Sequence, residues 1–247
     1  MLIKKTLKIG RKLIKLFRII RTKNYLKVLL RCGVAPVDEH YSLLKTLKCN
    51  TIVDVGANKG QFSLLARNCF PDAKIYSFEP LSEPANKFRC VFKDDKNMQL
   101  YNLAIGSEKI NTNIHVSKSD DSSSLLPITS QQSRLFPGTE EDYMATIEVD
   151  LLDNYIDEKI LISPSLLKID VQGYELEVLN GSKSLLGVFD YVYVECSFIE
   201  LYEEQPLVDD VLRLLNSENY SLSGVYNLSY DSSGICVQGD FLFSRVR

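Results

Sequence analysis

An α/β fold built on a mostly parallel sheet is what this sequence predicts, and three patterns predict it. From Thr51 onward, short β-branched runs alternate with helical stretches; a glycine-bearing turn follows the first run; and the chain closes on a helix and then two strands. Parallel neighbours need crossovers of a dozen or more residues, which the helical stretches supply, so helices should cover both faces of the sheet. The chain has 247 residues, 45% apolar and 25% charged, enough for one sizeable core and outside the disordered and collagen-like classes. Ligands of such sheets sit outside the carboxyl ends of the strands.

Residues 1–31 are set apart as a basic arm and 32–247 as the globular domain. Of the 29 bases eleven lie in the arm, which has no acid, so the remainder sets 18 bases against 32 acids. Within the arm Ile3, Leu7, Leu13, Ile14, Leu16, Phe17 and Ile20 recur at helical spacing, with Lys4, Lys8, Arg11, Lys15 and Arg18 on another side. That pattern predicts an amphipathic N-terminal helix. One reading lays it in the headgroup region of an anionic membrane, each cation adding about 1 kcal/mol near the surface. Another docks its apolar stripe on the globule or on a second copy of the chain, as in a homo-oligomer; a nucleic-acid arm is the third. No apolar run reaches the roughly 18 residues that span a bilayer, and the interrupting cations also break any secretory apolar stretch. The expectation is a cytoplasmic protein, peripheral on the inner face of the membrane where the arm binds it. Six cysteines (32, 49, 69, 90, 196 and 236) form no CxxC pair, and reduced thiols are expected.

A short helix is predicted over 40–47, then strand 51–55, helix 61–69, strand 74–78, helix 82–92 and strand 99–104. Residues 111–146 read as a hairpin flanking polar loops, the serine-rich 117–124 and the Ser-Gln-Gln-Ser of 130–133; loops this long tend to cover sites. The sheet resumes with strand 166–170, helix 175–186, strand 191–196 and helix 208–217. Strands 221–226 and 238–244 then form an antiparallel terminal pair.

The chemistry concentrates where strands end. Asp54-Val-Gly-Ala-Asn-Lys-Gly60 joins the first strand to its helix; Gly56 and Gly60 admit a ligand to the backbone, and the helix start offers free N–H groups. Glu79, twenty-five positions after Asp54 and followed by Pro80, is placed to accept both hydroxyl protons of a ribose. The dinucleotide fingerprint GxGxxG needs a middle glycine to touch a diphosphate, and Asn58 stands there instead. A smaller zwitterionic nucleoside suits this turn better, with its amino-acid end near Asp54; S-adenosylmethionine fits. No GxxxxGK[ST] occurs, which disfavours a nucleoside triphosphate.

The strings TIVDVGANKGQFSLLAR, YSFEPL, LAIG, LLKIDVQGYELEVLNG, YVEC and FIELYEEQPLVDDV resemble, in order, the FkbM family of S-adenosylmethionine-dependent methyltransferases. The likeness runs from about residue 49 to 247 and leaves the basic arm outside. It implies a Rossmann-like class I methyltransferase fold with a seven-stranded sheet, and O-methylation of hydroxyls on sugars of glycans, glycolipids or similar metabolites. Carried onto this chain, it implies that Asp54, Gly56 and Gly60 bracket the methionine part of the cofactor and Glu79 its ribose. It places the 102–105 segment, with Asn102 and Ala104, at the adenine, and Asp170 against cofactor and acceptor. Relatives often carry a histidine after the serine–leucine–proline segment, where this chain has Ser-Gln-Gln-Ser at 130–133.

Methyl transfer to an alcohol needs the acceptor oxygen in line with the methyl and its proton removed late, so a positioned base assists proximity. Asp170 is the first choice for that base, with Lys168 or Glu195 as its positioning partner; Glu175 reads as an acid at a helix N-terminus. Of the two histidines, His115 lies near the serine loop and can reach an acceptor, whereas His40 precedes the core; a lone histidine is more often structural. No metal is expected, since no histidine has ligand spacing and Asp120-Asp121 reads as a solvated pair. Ser123, Ser124, Tyr202, Gln205 and Asp240 are the candidate acceptor contacts, with Ser122, Ser197, Glu200 and Gln238 nearby. The rival readings are a non-catalytic membrane- or scaffold-associated module that keeps the fold, and a nicotinamide oxidoreductase. Nucleic-acid methylation is disfavoured by the acidic globule.

Overall fold

A computed structural model describes residues 22–119 and 121–246. The strands are β1 Thr51–Val55, β2 Lys74–Phe78, β3 Met98–Tyr101, β4 Ala104–Ile105 and β5 Ile110–Ser117. They continue with β6 Glu141–Asp150, β7 Ser165–Ile169, β8 Tyr191–Ser197, β9 Tyr220–Tyr230 and β10 Cys236–Arg245. The helices are α1 Lys23–Cys32, α2 Tyr41–Leu44, α3 Gln61–Cys69 and α4 Ser82–Phe92, then α5 Ser130–Leu135, α6 Glu175–Asn180, α7 Lys183–Leu186 and α8 Val208–Ser217.

Seven strands form the main sheet in the order β3-β2-β1-β7-β8-β10-β9. All pairs from β3 to β8 are parallel, and β10 runs antiparallel to both β8 and β9. The chain winds outward from β1 in one direction and from β7 in the other, which puts the topological switch point at the carboxyl ends of β1 and β7. Every residue of those two strands is buried, because helices cover both faces. Val53, Val55, Leu167 and Ile169 pack with Val178, Leu186 and Leu215 on one side, while Ile52 and Leu166 pack with Leu43, Phe62 and Leu65 on the other. A second sheet, β4-β6-β5, carries the middle of the chain.

Several expectations on local structure are corrected. The strand predicted over 99–104 is two strands in different sheets, because Asn102 turns the chain by donating to the carbonyls of Glu79 and Pro80. The helix predicted over 175–186 breaks into α6 and α7. A Cβ on Gly181 would lie 1.8 Å from the Gly106 carbonyl oxygen, and Gly181 O accepts from Leu152 N, so the chain bends where it meets these segments. The polar 130–133 stretch is helical, its start capped by Thr129, whose hydroxyl accepts from Gln132 N. The first short helix covers only Tyr41–Leu44, and the closing strands run several residues longer than predicted.

Residues 1–21 of the basic arm, and the helix and membrane contact read there, lie outside the described residues. Its last part is α1, which buries Tyr25 and Val28 against Leu64, Phe88 and Phe92. Arg31 donates to the carbonyls of Cys90 and Val91. The expectation of uniformly reduced cysteines is overturned at this contact: Cys32 and Cys90 form a disulfide, because α1 docks along α4 and brings their last turns together. Cys49, Cys69, Cys196 and Cys236 are not disulfide-bonded.

Candidate active site

The turns that leave β1 and β7 touch backbone to backbone. Gly56 has φ +77°, and a Cβ there would lie 1.9 Å from the Asp170 carbonyl oxygen, so only glycine fits. Gly56 N and Ala57 N both donate to Phe78 O, which draws the β1 turn over the end of β2. Glu79 lies under this turn, nearly fully buried, accepting from Asn58 N at 2.9 Å and Leu81 N at 2.8 Å. Burial pushes its carboxyl up to about 7, against the pull of those N–H groups and of Lys168.

Strand register sets Ser77, Asp54, Lys168 and Tyr193 abreast. Lys168 is buried, with Nζ 3.1 Å from Asp54 Oδ1 and 3.6 Å from Asp170 Oδ2, and it donates to Gly56 O at 2.9 Å. Burial pulls its ammonium down, but the two carboxylates outweigh that and hold it above the ordinary lysine range. Lys168 is therefore a charged strut that ties the β1 turn to Asp170. Asp54 completes it from behind, accepting from Ser63 Oγ at 2.6 Å.

Two clefts open beside these turns and meet at Gly56, Asn58, Asp121, Asp170 and Gln172. The narrower encloses about 660 Å³ including its open mouth, between Phe78, Ile105, Ile114, Leu125 and Tyr174, with Glu79 and Pro80 at one end. Its walls suit a flat ring, and the acid suits a diol. The wider, of about 1280 Å³ by the same measure, is lined mainly by acids and amides: Asp170, Glu195, Asp240, Gln132, Gln172, Asn227 and Gln238, with His40 and Glu39 beside them.

Hydrogen bonds lock that polar wall. Gln172, at φ +56°, donates from Nε2 to Asp170 Oδ1 at 2.8 Å and to Glu195 Oε2 at 2.7 Å, and accepts from the Tyr202 hydroxyl at 2.9 Å. Gln238 Nε2 donates to the other Glu195 oxygen at 3.0 Å. Burial first, then Asp170, Asp240 and Glu175, raise the Glu195 carboxyl well above its ordinary range. His40 Nδ1 lies 2.8 Å from the Tyr193 hydroxyl and 3.6 Å from Asp240, which accepts from Asn227 Nδ2 at 2.7 Å.

The sequence-predicted residues divide by place. Gly56, Asn58, Glu79, Pro80, Ala104, Ser123 and Ser124 line the narrow cleft, so the two serines stand on its side rather than on the acceptor side. Asp170 lines both clefts, and Lys168, Glu195 and Asp240 the wide one. Asp54 is fully buried behind the turn and meets Lys168 rather than the cleft; Gly60 packs against Phe88 and Phe92; Asn102 fastens the β2 exit. Tyr202 and Gln205 are buried scaffold, the latter accepting from Leu201 N and Tyr202 N and donating to Ser197. His115 sits on β5, 2.6 Å from Glu141 and outside both clefts. Gln172, Gln132 and Asn227 line the wide cleft but are not among the residues the sequence singles out for it. Gln172 lies inside the LLKIDVQGYELEVLNG string and Gln132 inside the Ser-Gln-Gln-Ser stretch of 130–133, both usable signals; Asn227 carries none.

A family model for the methyltransferase FkbM domain matches residues 54–222. The 2-O-methyltransferase NoeI of Sinorhizobium fredii (strain NBRC 101917 / NGR234) is 29% identical over 172 residues, covering 67% of this chain and 71% of that protein. Methyltransferase sdnD of Sordaria araneosa is 29% identical over 201 residues, covering 70% of this chain and 74% of that protein. Among solved structures, a precorrin-6y C5,15-methyltransferase from Geobacter metallireducens GS-15 gives a TM-score of 0.48 at 11% identity, over 87% of this chain and 95% of its own. The matched segment holds the β1 turn, Glu79 and the β7 turn with Asp170. This chain belongs to the FkbM methyltransferase family, and it is a methyltransferase.

Proposed function

We propose that this methyltransferase uses S-adenosylmethionine and methylates a hydroxyl of a sugar or similar polyol. The observation that carries the reading is the meeting of an apolar cleft that ends on an acid with a wider polar cleft at Asp170. The residues fit the cofactor. Glu79 is an acceptor for a ribose diol, Phe78, Ala104 and Ile105 flank space for a flat base, and the Gly56–Asn58 turn suits the amino-acid end. When bound, the cofactor supplies an electrophilic methyl group. This chain's residues do the rest: apolar walls exclude water, the amide wall orients hydroxyls, and Asp170 takes the acceptor proton while Lys168 and Gln172 hold its two oxygens in place. Similarity to the 2-O-methyltransferase NoeI supports transfer to oxygen. An intact Glu79 pocket argues against a retired, non-catalytic module, and Asn58 in place of a middle glycine argues against a nicotinamide cofactor.

A second proton acceptor is favoured by one observation, the placement of His40 on the polar cleft with Asp240 and Tyr193 behind its Nδ1. The test is methyl-labelled S-adenosylmethionine with a set of free sugars and methyl glycosides, followed by mild base. Base-stable label in a sugar supports an ether; label lost to base, or no transfer to any member of the set, contradicts the reading. With the acceptor so found, Asp170→Asn should abolish turnover and keep affinity for S-adenosylhomocysteine; retained turnover removes Asp170 as the base and leaves His40.

A further inference from the structure

Many of the hydrogen-bond donors on the polar cleft's wall are engaged within it. Lys168 is committed to Asp54, Asp170 and the Gly56 carbonyl. The Gln172 and Gln238 amide N–H groups point at Glu195 and Asp170, and that of Asn227 at Asp240. The hydroxyls of Ser119 and Ser122 go to Asp121, and that of Thr139 to the Phe136 carbonyl. These donors are engaged within the wall, and Asn58, Gln61 and Ser229 also line the cleft. Independently, Gln132 is 3% exposed and lines the cleft, and among the described residues its Oε1 has no hydrogen-bond partner while its Nε2 donates to Tyr202. A buried carbonyl left without a donor is costly unless a ligand brings one. Charge runs the same way: Glu39, Asp121, Asp170 and Asp240 line the cleft against Lys168 and His40.

We propose that this cleft takes an acceptor carrying a protonated amine, an amino sugar or comparable amino polyol, and turns away sugars bearing a carboxylate or phosphate. The inference rests on the methyl-transfer reading above and names its substrate class. An ammonium has three donors and no acceptor and suits an acid-rich wall with an open buried carbonyl, whereas a phosphate or carboxylate brings more negative charge and more acceptors to it. Neutral sugars fall between, since each hydroxyl both donates and accepts.

The probes are glucosamine, methyl glucoside, glucuronate and glucose 6-phosphate, titrated by ligand-observed NMR into the full chain saturated with S-adenosylhomocysteine, at neutral pH and fixed ionic strength. Glucosamine should bind at least tenfold more tightly than methyl glucoside, and the two anions more weakly than methyl glucoside. Asp240→Asn should cut the glucosamine advantage to threefold or less while S-adenosylhomocysteine affinity stays unchanged; Glu39→Gln, on the wide cleft alone, serves where that variant fails to fold. An anion binding as well as glucosamine, glucosamine binding no better than methyl glucoside, no probe binding, or variants without effect each overturn the proposal. Failure of S-adenosylhomocysteine itself to bind would instead remove the reading beneath it.

Discussion

Glu79 exposes the cofactor site to a pH test. Its carboxyl stands at about 7 because burial outweighs the stabilisation from Leu81 N, Asn58 N and Lys168. A ribose diol donates two protons and therefore needs the ionised form. With that pKa the ionised fraction rises from about one tenth at pH 6 to about nine tenths at pH 8. Affinity for S-adenosylhomocysteine should thus rise roughly tenfold over the interval, or about 1.4 kcal/mol. Titration calorimetry at pH 6, 7 and 8 measures it, with Glu79→Gln as the control for the ligand's own titrating amine. In that variant the tenfold slope should disappear and affinity at pH 8 should fall at least tenfold. One of the two backbone N–H groups that now meet carboxylate oxygens would face an amide NH₂ instead, at a cost of about 1–3 kcal/mol. A flat wild-type affinity, or the same slope in Glu79→Gln, refutes the assignment of Glu79 to the ribose.

Three other outcomes are expected. Burial raises both Glu79 and Glu175 to about 7, above the ordinary 4.5, so folding favours their protonated forms; their stabilising contribution is present at low pH and lost as pH rises through 7. Urea unfolding of the ligand-free protein should accordingly show about 2 kcal/mol less stability per group at pH 8 than at pH 5.5, and equal stability would contradict it. The Cys32–Cys90 bond spans a separation of 58 residues, for which loop-closure entropy gives about 4 kcal/mol. Cys90→Ser should lose up to that amount, and thiol titration of the unreduced, denatured wild-type chain should count four thiols rather than six. For the basic arm we propose contact with an anionic membrane: the full chain should sediment with phosphatidylserine-rich vesicles, stay free of phosphatidylcholine ones and be released by high salt. Equal binding to both vesicles, or to neither, would contradict that contact.

The framework was legible because its strands and crossover helices announce themselves locally. β1, β2, α3, α4 and α8 fall where the apolar runs and flanking glycines place them, since strands buried on both faces must read as continuous β-branched segments. What stayed hidden depends on contacts between distant residues. The disulfide needs α1 on α4, and the Asn102 turn needs the β2 exit beside it. The polar cleft is assembled from His40, Gln132, Gln172, Asn227 and Asp240, which only the β7-β8-β10-β9 order and the 118–140 excursion bring together. Asp54 shows the converse: its place in a glycine turn pointed to ligand contact, yet the alternation of β1 turns its side chain into the sheet face, toward Lys168.

The most direct measurement is calorimetric titration of the full chain with S-adenosylhomocysteine and, separately, with NAD. One-to-one binding of the first and no heat from the second is the predicted result. Binding of the diphosphate compound, or no binding of S-adenosylhomocysteine at any pH from 6 to 8, would contradict the account.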